Sequence, residues 1–118
     1  MEINLIVIRS DKPKELSAFY EMLGVSFTYH RHGNGPWHYA VEIGNIVFEI
    51  YPLPKKEEIP DASLRLGFTV DNLERMIEEL RTNNVLILQQ PVMSEFGYFA
   101  VIKDLDGRKI ELKERNEK

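Results

Sequence analysis

The chain has 118 residues, of which 43% are hydrophobic and 29% charged, which suits one compact domain with a sizeable core. A formal charge of −4 argues against the clustered basic surface that nucleic-acid binding needs, and the absence of cysteine excludes disulfides, thiolate metal sites and a cysteine nucleophile. Met1 leads almost directly into the apolar run "INLIVI" with no secretory-signal pattern, and no stretch approaches a membrane span, so the expectation is a cytoplasmic protein with neither nucleic-acid nor membrane partners.

The run "INLIVI" reads as a buried strand. In "SDKPKELSAFYEMLG", Ser10 or Asp11 is placed to cap a helix and Pro13 suits its first turn. Leu16, Phe19, Tyr20 and Leu23 then fall on one stripe, and Gly24 offers a left-handed stop. "VSFTYH", "WHYAVEI" and "IVFEIY" follow as strands, the last two joined by the two-residue hairpin signal Gly44-Asn45. The order is β-α-β-β-β over about residues 1–52.

Residues 53–62 have linker composition, with Pro54 and Pro60 among mixed charges. The pattern then restarts over about residues 63–114. "LRLGFTV" is a strand, and "DNLERMIEELRTNN" is a helix with Leu73, Met76, Ile77 and Leu80 on one stripe and Asp71 and Glu74 at capping-box spacing. "VLILQ" is a short strand, "QQPVMSEFGYF" reads as a long connection, and "YFAVIK" with "RKIELK" forms a hairpin around Asp106-Gly107. Leu16 and Tyr20 recur as Met76 and Leu80, and "VFEI" recurs as "KIEL", so the chain is a duplication with a period near sixty residues. The expected fold class is α+β: two tandem βαβββ units forming a cupped, half-open mixed β-sheet barrel with the helices outside.

Strand alternation assigns the faces. With Gly44-Asn45 as the turn, Tyr39, Val41, Ile43, Ile46, Phe48 and Ile50 lie beneath the helix. His38, Ala40, Glu42, Val47, Glu49 and Tyr51 face the other way. In "RKIELK", Ile110 and Leu112 take the helix side and Glu111 the open side, beside Lys109 and Lys113.

The duplicated unit, the "ELSAFYEMLG" helix and "YFAVIKDLDGRKIEL" resemble the glyoxalase, bleomycin-resistance protein and extradiol dioxygenase group, the vicinal oxygen chelate superfamily. The resemblance implies, in metal-using members, a divalent ion held by a first-strand residue and a fourth-strand glutamate of each half. The glutamates correspond to Glu49 and Glu111, which are also the candidate catalytic proton carriers. The first-strand positions fall on Leu5 and Arg65, and neither is a metal donor. No cofactor is therefore expected. Arg65 either pairs with the two carboxylates in the space of the ion or sits at a rim with its guanidinium in solvent.

Histidine is the other route to a divalent metal. His30 and His32 share a face by alternation, and a His38, Glu49, Glu111 triad is conceivable. Against it, His38 lies one pair along from the residue opposite Glu49, about 7 Å or more from the direct position. Tyr51, Phe96 and Tyr98 complete the candidate ligand contacts, the last two from a lid-like loop. Trp37 falls on the helix-covered face by the same alternation. The function expected is a homodimeric small-molecule binder in which Arg65, Glu49, Glu111, His38, Tyr51, Phe96 and Tyr98 contact the ligand without a metal. The alternative is a metal-dependent lyase, isomerase or dioxygenase acting on vicinal oxygens.

Overall fold

The computed structural model describes residues 1–54 and 58–116. It resolves into two compact units, Met1–Asp61 and Ala62–Lys118, so part of the expected linker, residues 55–57, lies outside the described residues. Each unit is a four-stranded mixed open sheet with one helix.

In the first unit, β1 (Leu5–Ser10), α1 (Pro13–Glu21), β2 (Thr28–His30), β3 (His38–Ile43) and β4 (Ile46–Pro52) form a sheet of order β1-β4-β3-β2. β1 is parallel to β4, and the other pairs are antiparallel. Ile43 pairs with Ile46, as a two-residue turn requires, and Gly44 supplies its positive φ of 60°. Leu16, Phe19 and Tyr20 of α1 bury against a sheet face bearing Ile8, Phe48 and Ile50, with Tyr20 edge-on to Phe48 at 5.2 Å. Apolar burial of this kind contributes about 1.5–3 kcal/mol per large side chain and dominates the unit's stability.

In the second unit, β5 (Leu66–Val70), α2 (Leu73–Thr82), β6 (Ile87–Ser94), β7 (Gly97–Lys103) and β8 (Lys109–Glu114) repeat the design with order β5-β8-β7-β6. Leu73, Ile77 and Leu80 bury over Ala100, Ile102, Ile110 and Leu112. The α2 stripe is as expected except that Met76 is only half-buried.

Three local expectations are corrected. Neither Ser10 nor Asp11 caps α1: the helix starts from Lys12 without a side-chain cap, and the Ser10 hydroxyl accepts the Lys12 amide at 3.0 Å. α2 is capped by Asn72, whose side chain accepts from the Arg75 amide at 3.1 Å, while Asp71 pairs with Arg115. β2 begins only at Thr28, because the Glu21 carboxylate accepts the Phe27 amide at 2.9 Å and draws that residue from the ladder. The hairpin around Asp106-Gly107 forms as expected. Lys103 pairs with Lys109, leaving a five-residue loop stapled by Asp104. One Asp104 oxygen accepts the amides of Asp106 and Arg108 at 2.9 and 3.0 Å; the other accepts from the Arg108 guanidinium at 3.1 Å. Both side chains are buried, so the loop is held by a low-dielectric ion pair rather than by turn propensity.

The segment expected as a lid is a β-hairpin. β6 runs through Pro91 to Ser94, and Ser94 pairs with Gly97 across a two-residue turn. Register shifts on either side of Gln89 disguise the period-two pattern, and β6 is an edge strand, where a proline costs no inward ladder bond. Among the described residues, no helix is long and apolar enough to cross a membrane.

Candidate functional site

On the sheet face turned away from α1, the first unit gathers its histidines. β2 and β3 pair in the register Thr28–Ala40, Tyr29–Tyr39, His30–His38, so His30 and His38 stand side by side with ring centroids 4.5 Å apart. Alternation turns Tyr29 and Tyr39 to the opposite face, where Tyr29 stacks on Trp37 at 5.1 Å. His32 reaches the cluster through the turn "HGNGP". Gly33 takes a φ of 57°, and the Gly35 amide donates to the His32 carbonyl at 2.9 Å. A Cβ on Gly35 would meet that carbonyl at 3.1 Å, so the turn has little room for a side chain there. It sets the His32 ring 5.0 Å from His30 and 5.3 Å from His38.

His38 is 1% exposed, and two contacts fix its ring. Tyr51 stacks on it at 4.1 Å with the planes within 8°, and Nδ1 lies 3.1 Å from the Pro36 carbonyl. A carbonyl only accepts, so Nδ1 carries the hydrogen and the neutral ring presents the Nε2 lone pair. Nε2 is buried and has no hydrogen-bond partner among the described residues. The nearest Glu49 carboxylate oxygen is 3.6 Å away. Two acceptors so placed repel unless a cation, either a proton or a metal ion, lies with them.

This corrects the expectation about His38. The side chain is buried and hydrogen-bonded, and it is within reach of Glu49, because its ring, stacked on Tyr51, closes the diagonal to 3.6 Å. One ligand atom from each of His30, His32, His38 and Glu49 fits within 4.8 Å of all the others. His30 and His32 were legible as sharing a face, but their meeting with His38 was not. The retrievable signal was the pairing of residues 30 and 38 about a Gly-Asn-Gly-Pro turn. Arg9 was also missed: its guanidinium carbon lies 5.6 Å from the Tyr51 ring centroid.

The parallel registers sharpen the first-strand positions. Val7 pairs with Glu49, and Gly67 pairs with Glu111. Leu5 and Arg65 are one step further along the same faces, and none of these four residues is a metal donor. The donor set inferred from the resemblance is therefore incomplete in both first strands.

The remaining candidates lie in the second unit. Glu111 is half-buried between Ile110 and Leu112 and faces away from α2, opposite Val101. Arg65 is exposed just before β5 and, among the described residues, makes no ion pair with Glu111. Phe96 is 74% exposed at the β6–β7 turn. Tyr98 points to the helix side instead of the open face: its hydroxyl donates to Glu74 of α2 at 2.8 Å, which raises its pKa above the usual value of 10.0. Tyr98 is thus a helix-to-sheet strap.

The fold recurs in solved proteins. An integron cassette protein from the mobile metagenome of V. cholerae superposes with a TM-score of 0.72 at 22% identity, covering 98% of this chain and 96% of that one. TnmS3, an antibiotic binding protein from Streptomyces sp. CB03234, gives 0.73 at 19% identity over 98% and 97%. The virulence protein STM3117 from Salmonella typhimurium gives 0.71 at 20% identity over 98% of both chains. No curated protein matches by sequence. The model of the Glyoxalase/Bleomycin resistance protein/Dioxygenase superfamily matches residues 2–112, and the chain belongs to that family.

Proposed function

We propose that this protein binds a small organic ligand on the open face of its first unit, with Glu49, His38 and Tyr51 as the central contacts and Arg9 beside them. The observation that carries the reading is the constellation on that face: a stacked His38–Tyr51 pair, a carboxylate at 3.6 Å and a guanidinium over the tyrosine ring. Such a surface offers one aromatic edge and charges of both signs, which suits a flat ligand carrying polar groups. TnmS3, of the same fold, binds an antibiotic, and that precedent supports a binder. Glu111, Arg65 and Phe96 are proposed as ligand contacts of the second unit taken by itself, and the protein as a cytoplasmic homodimer.

A thermal-shift screen of flat, polar-substituted compounds tests this. A true ligand raises the transition in a concentration-dependent way, by about 2.7 kcal/mol of apparent stability at a hundredfold excess over Kd. The shift shrinks in Glu49→Gln and Tyr51→Ala. A hit whose shift survives both substitutions overturns the placement of the site, and a screen with no hit overturns the ligand class. Sedimentation velocity tests the dimer, expected at twice the chain mass of 13.8 kDa; a monomer throughout contradicts it. The second reading, a metal-dependent enzyme, is favoured by the histidine cluster alone.

A further inference from the structure

We propose that His30, His32, His38 and Glu49 form a divalent transition-metal site contained in the first unit. This donor set differs from the first-strand and fourth-strand positions the resemblance implies, sharing only Glu49 with it. Four observations converge on it.

The first is donor count. Three imidazoles and one carboxylate complete a four-coordinate site, and their ligand atoms already lie within 4.8 Å of one another. Donors on a tetrahedral ion are separated by about 3.3 Å, given bonds of about 2.0–2.2 Å. The His38–Glu49 pair, at 3.6 Å, is nearly there. Closure of the rest needs only rotation of His30 and His32, which are less buried.

The second is the unpartnered atom. His38 Nε2 is buried, without a hydrogen-bond partner among the described residues, and turned towards the carboxylate. A buried polar atom in that state is costly unless something occupies the space it faces. The third is the outer contact. Nδ1–H to the Pro36 carbonyl fixes the tautomer that leaves Nε2 as the donor, which is the arrangement metal-bound histidines adopt. The fourth is access. His38 forms the buried floor and His32 is exposed, so an ion has a route in and the outer ligand can swing away.

Ligand chemistry selects the ion. Imidazole nitrogen suits zinc, nickel, copper and cobalt, whereas magnesium and calcium demand oxygen. The site therefore binds Zn²⁺ or Co²⁺ and ignores Mg²⁺. It does not depend on the organic-ligand reading, because the ion can be titrated with no other ligand present.

The test uses the full chain, freed of metal by chelator and titrated with Zn²⁺ by calorimetry and with Co²⁺ by visible absorption. The expected result is one equivalent of saturable binding, with cobalt bands of four-coordinate intensity and no response to Mg²⁺. Glu49→Gln and the exposed-residue variant His32→Ala each weaken binding by roughly 10- to 100-fold or more. His32→Ala changes an exposed side chain and stays folded, so the test survives even if His38→Ala does not fold. Absence of saturable binding below about 100 µM, a free-energy threshold near −5.5 kcal/mol, overturns the proposal. So does stoichiometric binding that is unchanged in both variants, which would place the ion elsewhere.

Discussion

The two units share one topology and differ most on the faces their helices leave open. Equivalent positions follow from the registers. Val7–Glu49–Ala40 in the first unit corresponds to Gly67–Glu111–Val101 in the second. Beside them, Arg9 pairs with Tyr51 where Thr69 pairs with Lys113, and His30 pairs with His38 where Val92 pairs with Phe99. The helix-side core kept its apolar character in both copies, because burial tolerates little else. The open faces were free to diverge. One copy gathered three histidines around its glutamate, and the other surrounded its glutamate with valine, glycine and lysines.

The hairpins before the last strands diverged in the same way, and they give the largest expected effect. Asp104→Ala removes one of the two carboxylates on the buried Arg108 guanidinium and the acceptor of the Asp106 and Arg108 amides, and should cost about 3 kcal/mol in urea denaturation. Its counterpart Gly44→Ala places a Cβ at positive φ and should cost about 1–2 kcal/mol. Equal losses would mean that the buried ion pair is not what holds the second hairpin.

Exchanging character between copies sharpens the comparison. His38→Phe gives the first unit the residue of the second and should abolish Co²⁺ binding in a protein that still unfolds cooperatively. Retained binding would show that His38 is not a ligand. His32→Ala should change stability by no more than about 0.5 kcal/mol, since the residue is exposed, and so isolates its effect on the ion.

Tyrosine titration gives the smallest effect. Burial raises the pKa of Tyr39 in the first unit; the Glu74 hydrogen bond does the same for Tyr98 in the second. Both groups are neutral when protonated, and folding raises their pKa above 10.0. Their contribution is therefore fully present below about pH 10 and is lost as pH rises through the folded values. Absorbance titration of Tyr39→Phe and Tyr98→Phe should each remove a late-ionising component; loss of an ordinary one would contradict the assignment.

Much of this was legible in the sequence. The duplication, both helix stripes, the Gly44-Asn45 turn and the outward facing of Glu49 and Glu111 all follow from period and punctuation, which are local properties. What was lost depended on tertiary geometry. Pro91 and the bulged register hid the β6 strand, since alternation fails when a strand carries extra residues. Asp104 could not be read as a loop clamp because its partner Arg108 is buried only once the hairpin closes. The histidine cluster was hidden because residues 30, 32 and 38 meet only when the Gly33 and Gly35 turn folds back, and reach to Glu49 depends on the lean of one ring.

We place the chemistry of this protein on the first unit's open face. Amide NMR during Zn²⁺ titration of the metal-free chain tests it most directly. The account predicts the largest shifts at His30, His32, His38 and Glu49, saturating at one equivalent, with Val92, Phe99 and Glu111 nearly still. Shifts centred on Val101, Glu111 and Lys113 would contradict it.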